Sequence, residues 1–143
     1  MSKADIKIRV TDWKNDRKTL EKIRRLVFIE EQHVPDDLEW DEEDNTSTHF
    51  VVALVDKAVA TARLTANGQI GRMAVLAEYR NQGIGNKLLY FVLQHAASLG
   101  YKQIYLHAQV TAIPFYEKQG FTAFGNIFYE ANIPHREMSL KIC

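Results

Sequence analysis

Between Asn15 and Glu31 the apolar residues Leu20, Ile23 and Val27, with Phe28 beside them, recur at helical spacing while charges fill the opposite face. That pattern predicts an amphipathic helix, which Pro35 prevents from continuing. Upstream, Ile6, Ile8 and Val10 alternate with Lys7 and Arg9, the period of two of a strand with one buried face. Phe50 to Val55 is continuously apolar and rich in valine, Asp56-Lys57 interrupts it, and Val59 to Leu64 resumes an extended pattern, so a hairpin is predicted. Asn67-Gly68 marks another turn, because both residues tolerate positive φ, and leads into a strand from Gln69 to Leu76. Leu88, Phe91, Val92, Ala96 and Leu99 then share one face of a helix that begins after Gly85 and stops at Gly100. Ile104 to Ala108 reads as a strand, Ala112 to Gln119 as a short helix, and Phe121 to Phe124 and Met138 to Ile142 as extended segments. Strands interleaved with two or three helices predict a mixed α+β layer fold on a largely antiparallel sheet.

Length and composition narrow this to one domain, residues 1–143: the chain is 46% apolar and 25% charged, without repeats or linkers. Eighteen basic residues balance eighteen acidic ones, so there is no global field to draw nucleic acid or an anionic membrane. Cys143 is the sole cysteine, which excludes an intrachain disulfide and a cysteine-based zinc site. With no apolar leader at Met1 to Asp5 and no long apolar run, the expectation is a soluble, cytoplasmic protein. Asp36 to Asp44 is dense in like charges that repel one another, and is expected to be a loop. It can steer a cationic ligand, with Trp40 adding a cation-binding face, or be merely solvated. The five histidines show no metal-ligand spacing, and no metal is expected.

The chemistry concentrates in Met73-Ala74-Val75 and the following Arg80-Asn81-Gln82-Gly83-Ile84-Gly85, which read as strand, glycine turn and helix start. Glycines there let a ligand approach the backbone, and the helix offers unsatisfied N–H groups and the positive end of its dipole, a combination suited to phosphate. A bare Gly-x-Gly is more often only a tight turn. The absence of Gly-Lys-Ser/Thr, and Leu88 at the third-glycine position, reject two familiar phosphate loops.

Arg80-x-Gln82-Gly83-x-Gly85, preceded by Met73-Ala74-Val75, resembles the coenzyme A pyrophosphate motif of GNAT acyltransferases. Ala112-Ile113-Pro114-Phe115-Tyr116-Glu117-Lys118-Gln119-Gly120-Phe121 is similar to the helix and strand that complete the GNAT site. Val27 to Pro35, Asp41 and Asp44, and Glu130 to His135 resemble the bacterial ElaA/YjcF-like branch. The resemblance implies a splayed sheet of six to seven strands flanked by helices. It also implies transfer of an acetyl or other acyl group from acetyl-CoA to a primary amine, on a small molecule or a lysine side chain. Met73, Ala74, Val75, Arg80, Asn81, Gln82, Gly83, Ile84, Gly85, Gln109 and Phe115 become the cofactor-binding set. Gln109 stands where many members carry Asn.

Direct attack of an amine on a thioester needs an N–H donor for the oxyanion, implied around Ala74 or Val75, and a proton for the departing thiolate. Tyr116 is the implied general acid, with Phe115 turned inward. Glu30, Glu31, Trp40 and His135 are the acceptor-side candidates, and the general base stays unassigned. A non-catalytic acyl-CoA sensor is the competing reading. Oligomeric state, a homodimer included, stays open.

Overall fold

The computed structural model describes residues 5–142; Met1 to Ala4 and Cys143, on which the leader and cysteine readings rest, lie outside them. Strands β1 (Ile6–Thr11), β2 (Thr48–Leu54), β3 (Lys57–Leu64), β4 (Gln69–Val75), β5 (Gln103–Gln109), β6 (Thr122–Glu130) and β7 (Ile133–Lys141) form a seven-stranded sheet in the order β1-β2-β3-β4-β5-β7-β6. Every neighbouring pair is antiparallel except β4 and β5. Those two are joined by a helical crossover, α3 (Ile84–Ser98), as parallel strands require. This is the expected mixed, largely antiparallel architecture.

Helix α1 (Trp13–Arg24) starts at Asp12, whose carboxylate accepts the Asn15 N–H at 2.8 Å. The helix then widens into a π-helical segment, Arg25–Glu31, instead of running regularly to Glu31. Leu20, Ile23 and Val27 are buried as the periodicity requires, and they cover one face of the sheet against Val51, Ala74 and Leu76. On the other face, Leu88, Leu89, Val92 and Ala96 of α3 pack with Phe50, Val52, Ile104 and Leu106. Both faces of β2 are thus covered, which explains why its sequence is continuously apolar instead of alternating. Leu99, expected on the buried face of α3, is 55% exposed, because it caps the helix end where the chain has left the sheet.

Two turns differ from expectation. Val55 belongs to the β2–β3 turn, with φ of 48°, and Asn67 does not take positive φ; only Gly68 does, at 93°. Asn67 instead uses its side chain, accepting from the Thr65 hydroxyl and donating to the Tyr105 hydroxyl at 3.1 Å. The C-terminal strands are longer than predicted and meet at Ala131 and Asn132, both with positive φ.

Asp36 to Asp44 is the largest correction. It holds a short helix α2 (Asp36–Glu39) and a 3₁₀ turn, Glu42–Asn45, and Glu39 and Asp44 are buried. Their partners are arginines from α1, β3 and β4. Arg24 donates to Glu39 Oε2 at 2.8 Å and to Asp44 Oδ1 at 2.7 Å, and Arg63 donates to Asp41 at 2.7 Å and to Asp44 at 3.1 Å. Arg72 binds the Glu39 carbonyl at 2.9 Å and Asp41 Oδ2 at 3.2 Å. Burial raises the Asp44 carboxyl, but Arg24 and Arg63 outweigh it and hold it below the usual aspartate range. Trp40 is not turned to solvent as a cation-binding face: its ring lies 5.0 Å from the Arg24 guanidinium and its N–H donates to Asp36 at 2.6 Å.

His49 donates from Nε2 to the Asp44 carbonyl at 2.9 Å beneath this network. Burial pushes its pKa below the ordinary 6.5. The unfolded chain therefore binds a proton that the folded chain resists, so this contribution to stability is complete above pH 6.5 and is lost as pH falls through the lower folded value. Urea midpoints should carry a drop from this source on going from pH 7.5 to 5.5, and His49→Gln should remove that part of the dependence.

Candidate active site

β4 and β5 pair only at Gln69↔Tyr105 and Ile70↔Leu106, and beyond these residues the strands diverge. The cause lies in β4. Its register against β3 slips between Thr61 and Arg63, and Arg72 takes φ of 48°, a bulge that lets its side chain reach the acidic network. Leu76 N–H bonds the Val59 carbonyl at 2.9 Å, so Ala60↔Val75, one residue back, is a non-hydrogen-bonded pair. The Val75 N–H and carbonyl accordingly leave the strand on the edge facing the opening, whereas those of Ala74 face β3. The Val75 carbonyl accepts Arg80 Nε at 2.9 Å.

The opening leads to a cavity of about 490 Å³. Met73, Gln109, Tyr116 and His135, all singled out in the sequence, line it, and so do Gln32, His107 and Glu130. Gln109 donates to the Gln32 side chain at 2.9 Å, tying β5 to the π-helical segment. Helix α4 (Ile113–Glu117) supplies Tyr116, whose hydroxyl has the Met73 sulfur at 3.9 Å. Burial pushes its phenol up to about 12, so it holds its proton throughout the neutral range.

The glycine turn lies at the mouth of α3. Gly83, with φ of 80°, precedes the first helical residue, and a Cβ there would meet nothing within 4 Å. Gly85 differs: a Cβ would come 3.5 Å from the Phe115 ring, so this glycine brings α3 close to α4. No side chain caps α3, and its first helical bond is Lys87 N–H to the Gly83 carbonyl. The N–H groups just before Lys87 therefore have no acceptor within the helix, and they suit a phosphate. Asn81, with φ of 63°, and Gln82 are exposed in this turn, while Ile84 is buried and anchors it.

Arg80 Nη1 and Nη2 bind the Glu31 carboxylate at 2.5 and 2.6 Å. Each partner shifts the other: Arg80 holds Glu31 below the usual glutamate range, and Glu31 raises Arg80. Glu31 thus sits beside the glycine turn with Arg80, away from the cavity lining, and Glu30 is exposed outside it. Trp40 is also outside, engaged with Arg24. No cluster of three or more metal-ligating side chains occurs among the described residues. Gln32 and His107 were missed in the sequence because their placement depends on the π-helical turn and on the β5–β7 pairing. The His107/Gln109 alternation on one strand face was the available signal.

The family model described as an acetyltransferase (GNAT) domain matches residues 15–142. The chain is 36% identical over 120 residues to the uncharacterized N-acetyltransferase YjcF of Bacillus subtilis, covering 81% of this chain and 86% of that protein. An acyl-CoA N-acyltransferase from Pseudomonas aeruginosa superposes with a TM-score of 0.85 at 27% identity, over 94% of this chain and 98% of that one. Escherichia coli ElaA gives 0.83 at 27% identity, over 93% and 98%.

Proposed function

Given that this chain belongs to the GNAT acetyltransferase family, and is an acetyl-CoA-dependent N-acetyltransferase of its ElaA/YjcF-like branch, we propose that it acetylates a primary amine of a small molecule or a lysine side chain by direct attack. The observation that carries this reading is that Gly85, at the uncapped start of α3, approaches both Val75, whose N–H points outward, and Phe115, whose neighbour Tyr116 lines the cavity with a half-buried phenol. Bound acetyl-CoA supplies the activated thioester. In this reading the free N–H groups at the start of α3, with Arg80 and the turn from Asn81 to Gly85, hold its diphosphate. Met73, Ala74, Val75, Gln109 and Phe115 shape the channel for its arm. The Val75 N–H takes the developing oxyanion, and Tyr116 donates a proton to the departing sulfur. Residues 1–143 act as one domain, supported by the continuous sheet from Ile6 to Lys141.

No helix among the described residues is long and apolar enough to cross a membrane. The reading takes the cytoplasm as the compartment. A homodimer also belongs to it, supported by the exposed Phe124, Ile127 and Tyr129 on edge strand β6. The test is release of free thiol from acetyl-CoA on mixing with a panel of polyamines, amino sugars and lysine peptides. Amine-dependent release is expected, and CoA binding without release from any amine would overturn the catalytic reading in favour of a sensor.

Arg80 must exchange Glu31 for the diphosphate. Because both side chains are more than a third exposed, the pair is a weak one, and Glu31→Gln should tighten CoA binding by about 2- to 5-fold at low salt. Calorimetric titration reads this directly, and the gain should vanish at high ionic strength.

A further inference from the structure

The acceptor end of the cavity contains a histidine whose tautomer is fixed by the backbone. His135, on β7, has a side chain only 10% exposed, with its ring stacked on Phe128 at 5.9 Å. Its Nδ1 lies 2.7 Å from the Ile133 carbonyl oxygen. A carbonyl can only accept, so Nδ1 carries the hydrogen, and the neutral ring keeps its lone pair on Nε2. The nearest carboxylate oxygen to Nε2, Glu130 Oε1, is 3.9 Å away, too far for a hydrogen bond. Nε2 is thus left free on a ring that lines the cavity.

Glu130 completes the arrangement. The cavity is lined by two carboxylates, Glu39 and Glu130. Glu39 is neutralised by Arg24 and Arg72, at 2.8 and 3.1 Å. Glu130 has no arginine or lysine partner among the described residues; its Oε2 meets His107 Nδ1 at 3.0 Å, and its side chain is 49% exposed. Its negative charge is therefore the one available to a cation entering the cavity, and it stands beside the free Nε2. The β6–β7 turn at Ala131 and Asn132 brings the two groups together, and the β5–β7 register sets His135 opposite Gln109.

Resting on the acetyltransferase reading, we propose that His135 Nε2 is the base that deprotonates the acceptor, and that Glu130 selects a cationic amine by binding its ammonium beside it. The ammonium gives one proton to Nε2, becoming a neutral amine and an imidazolium that Glu130 stabilises. The nitrogen lone pair forms the C–N bond to the thioester carbon, the C–S bond breaks, and the sulfur takes the Tyr116 proton. The nitrogen's second proton restores the phenol, and the imidazolium returns its proton to solvent, so the sum is amide, free thiol and one proton. Tyr116 and His135 line the same cavity, so acid and base serve one reaction centre.

The test uses the whole chain. Nitrogen NMR of the imidazole rings, assigned with His135→Asn, should show His135 protonated at Nδ1 and bare at Nε2; an Nε2–H tautomer overturns the proposal without any turnover assay. His135→Asn preserves a donor toward the Ile133 carbonyl, so it should keep CoA affinity while kcat falls by about 100-fold or more. Unchanged kcat in a wild-type-active system overturns the base. Glu130→Gln, a surface change with little risk to folding, should raise KM for a cationic amine about fivefold and reduce its salt dependence. An unchanged KM overturns the selection. Absence of thiol release by the wild type would instead count against the acetyltransferase reading, and the tautomer measurement would still decide the histidine.

Discussion

Replacing Tyr116 by phenylalanine is expected to lower kcat by about 10²- to 10³-fold, the scale of a lost general acid, while leaving the fold and CoA affinity intact. The separation follows from what the hydroxyl touches. Its one polar neighbour among the described residues is the Met73 sulfur at 3.9 Å, a weak acceptor, so removing the oxygen leaves no strong group unpaired. Thermal midpoint should therefore be unchanged or slightly raised. Because burial places the phenol near 12, it stays protonated across the assay range and should not limit activity as pH rises through 10. Full turnover in Tyr116→Phe with normal CoA binding would remove the tyrosine from the chemistry.

The second large effect is structural. Arg24→Met should cost about 3–5 kcal/mol, because it leaves buried Glu39 and Asp44 without their shared cation. For a chain of this size that corresponds to a drop in Tm of roughly 10 °C or more. Arg24→Lys should recover only part of the loss. The guanidinium makes bonds to Glu39 Oε2, the Glu39 carbonyl and both Asp44 oxygens, and it lies against the rings of Trp13 and Trp40; a point ammonium cannot reproduce that fork. Adding Glu39→Gln to Arg24→Met should restore part of the stability, since Asp41 and Asp44 then face Arg63 and Arg72 in balance. If the single variant melts like the wild type, the buried network contributes nothing. Catalysis should suffer as well, because Arg72 reaches Glu39 and Asp41 from the bulge that splays β4.

The same network shows where the sequence was readable and where it was not. The alternation of Ile6, Ile8 and Val10 and the helical spacing of Leu88, Val92 and Ala96 are local patterns, and the elements they imply are present. The glycine turn and the Phe115-Tyr116 helix were legible because each is a short contiguous motif. Asp36 to Asp44 looked like a self-repelling loop because its neutralising partners, Arg24, Arg63 and Arg72, are supplied by α1, β3 and β4, far along the chain. Glu31 looked like an acceptor-side group, although its partner Arg80 lies 49 residues away. Gln32, His107 and the tautomer of His135 depend on strand order, above all on β7 inserting between β5 and β6, which no local periodicity encodes.

Calorimetric titration with CoA, alongside pantetheine, probes the diphosphate site proposed at the start of α3 without depending on the amine. CoA should give a saturable heat at one site per chain, with pantetheine, which lacks the whole 3′-phospho-ADP portion, weaker by about 100-fold or more, roughly 3 kcal/mol. Equal affinity for the two compounds, or no heat from CoA with folded protein, would contradict it.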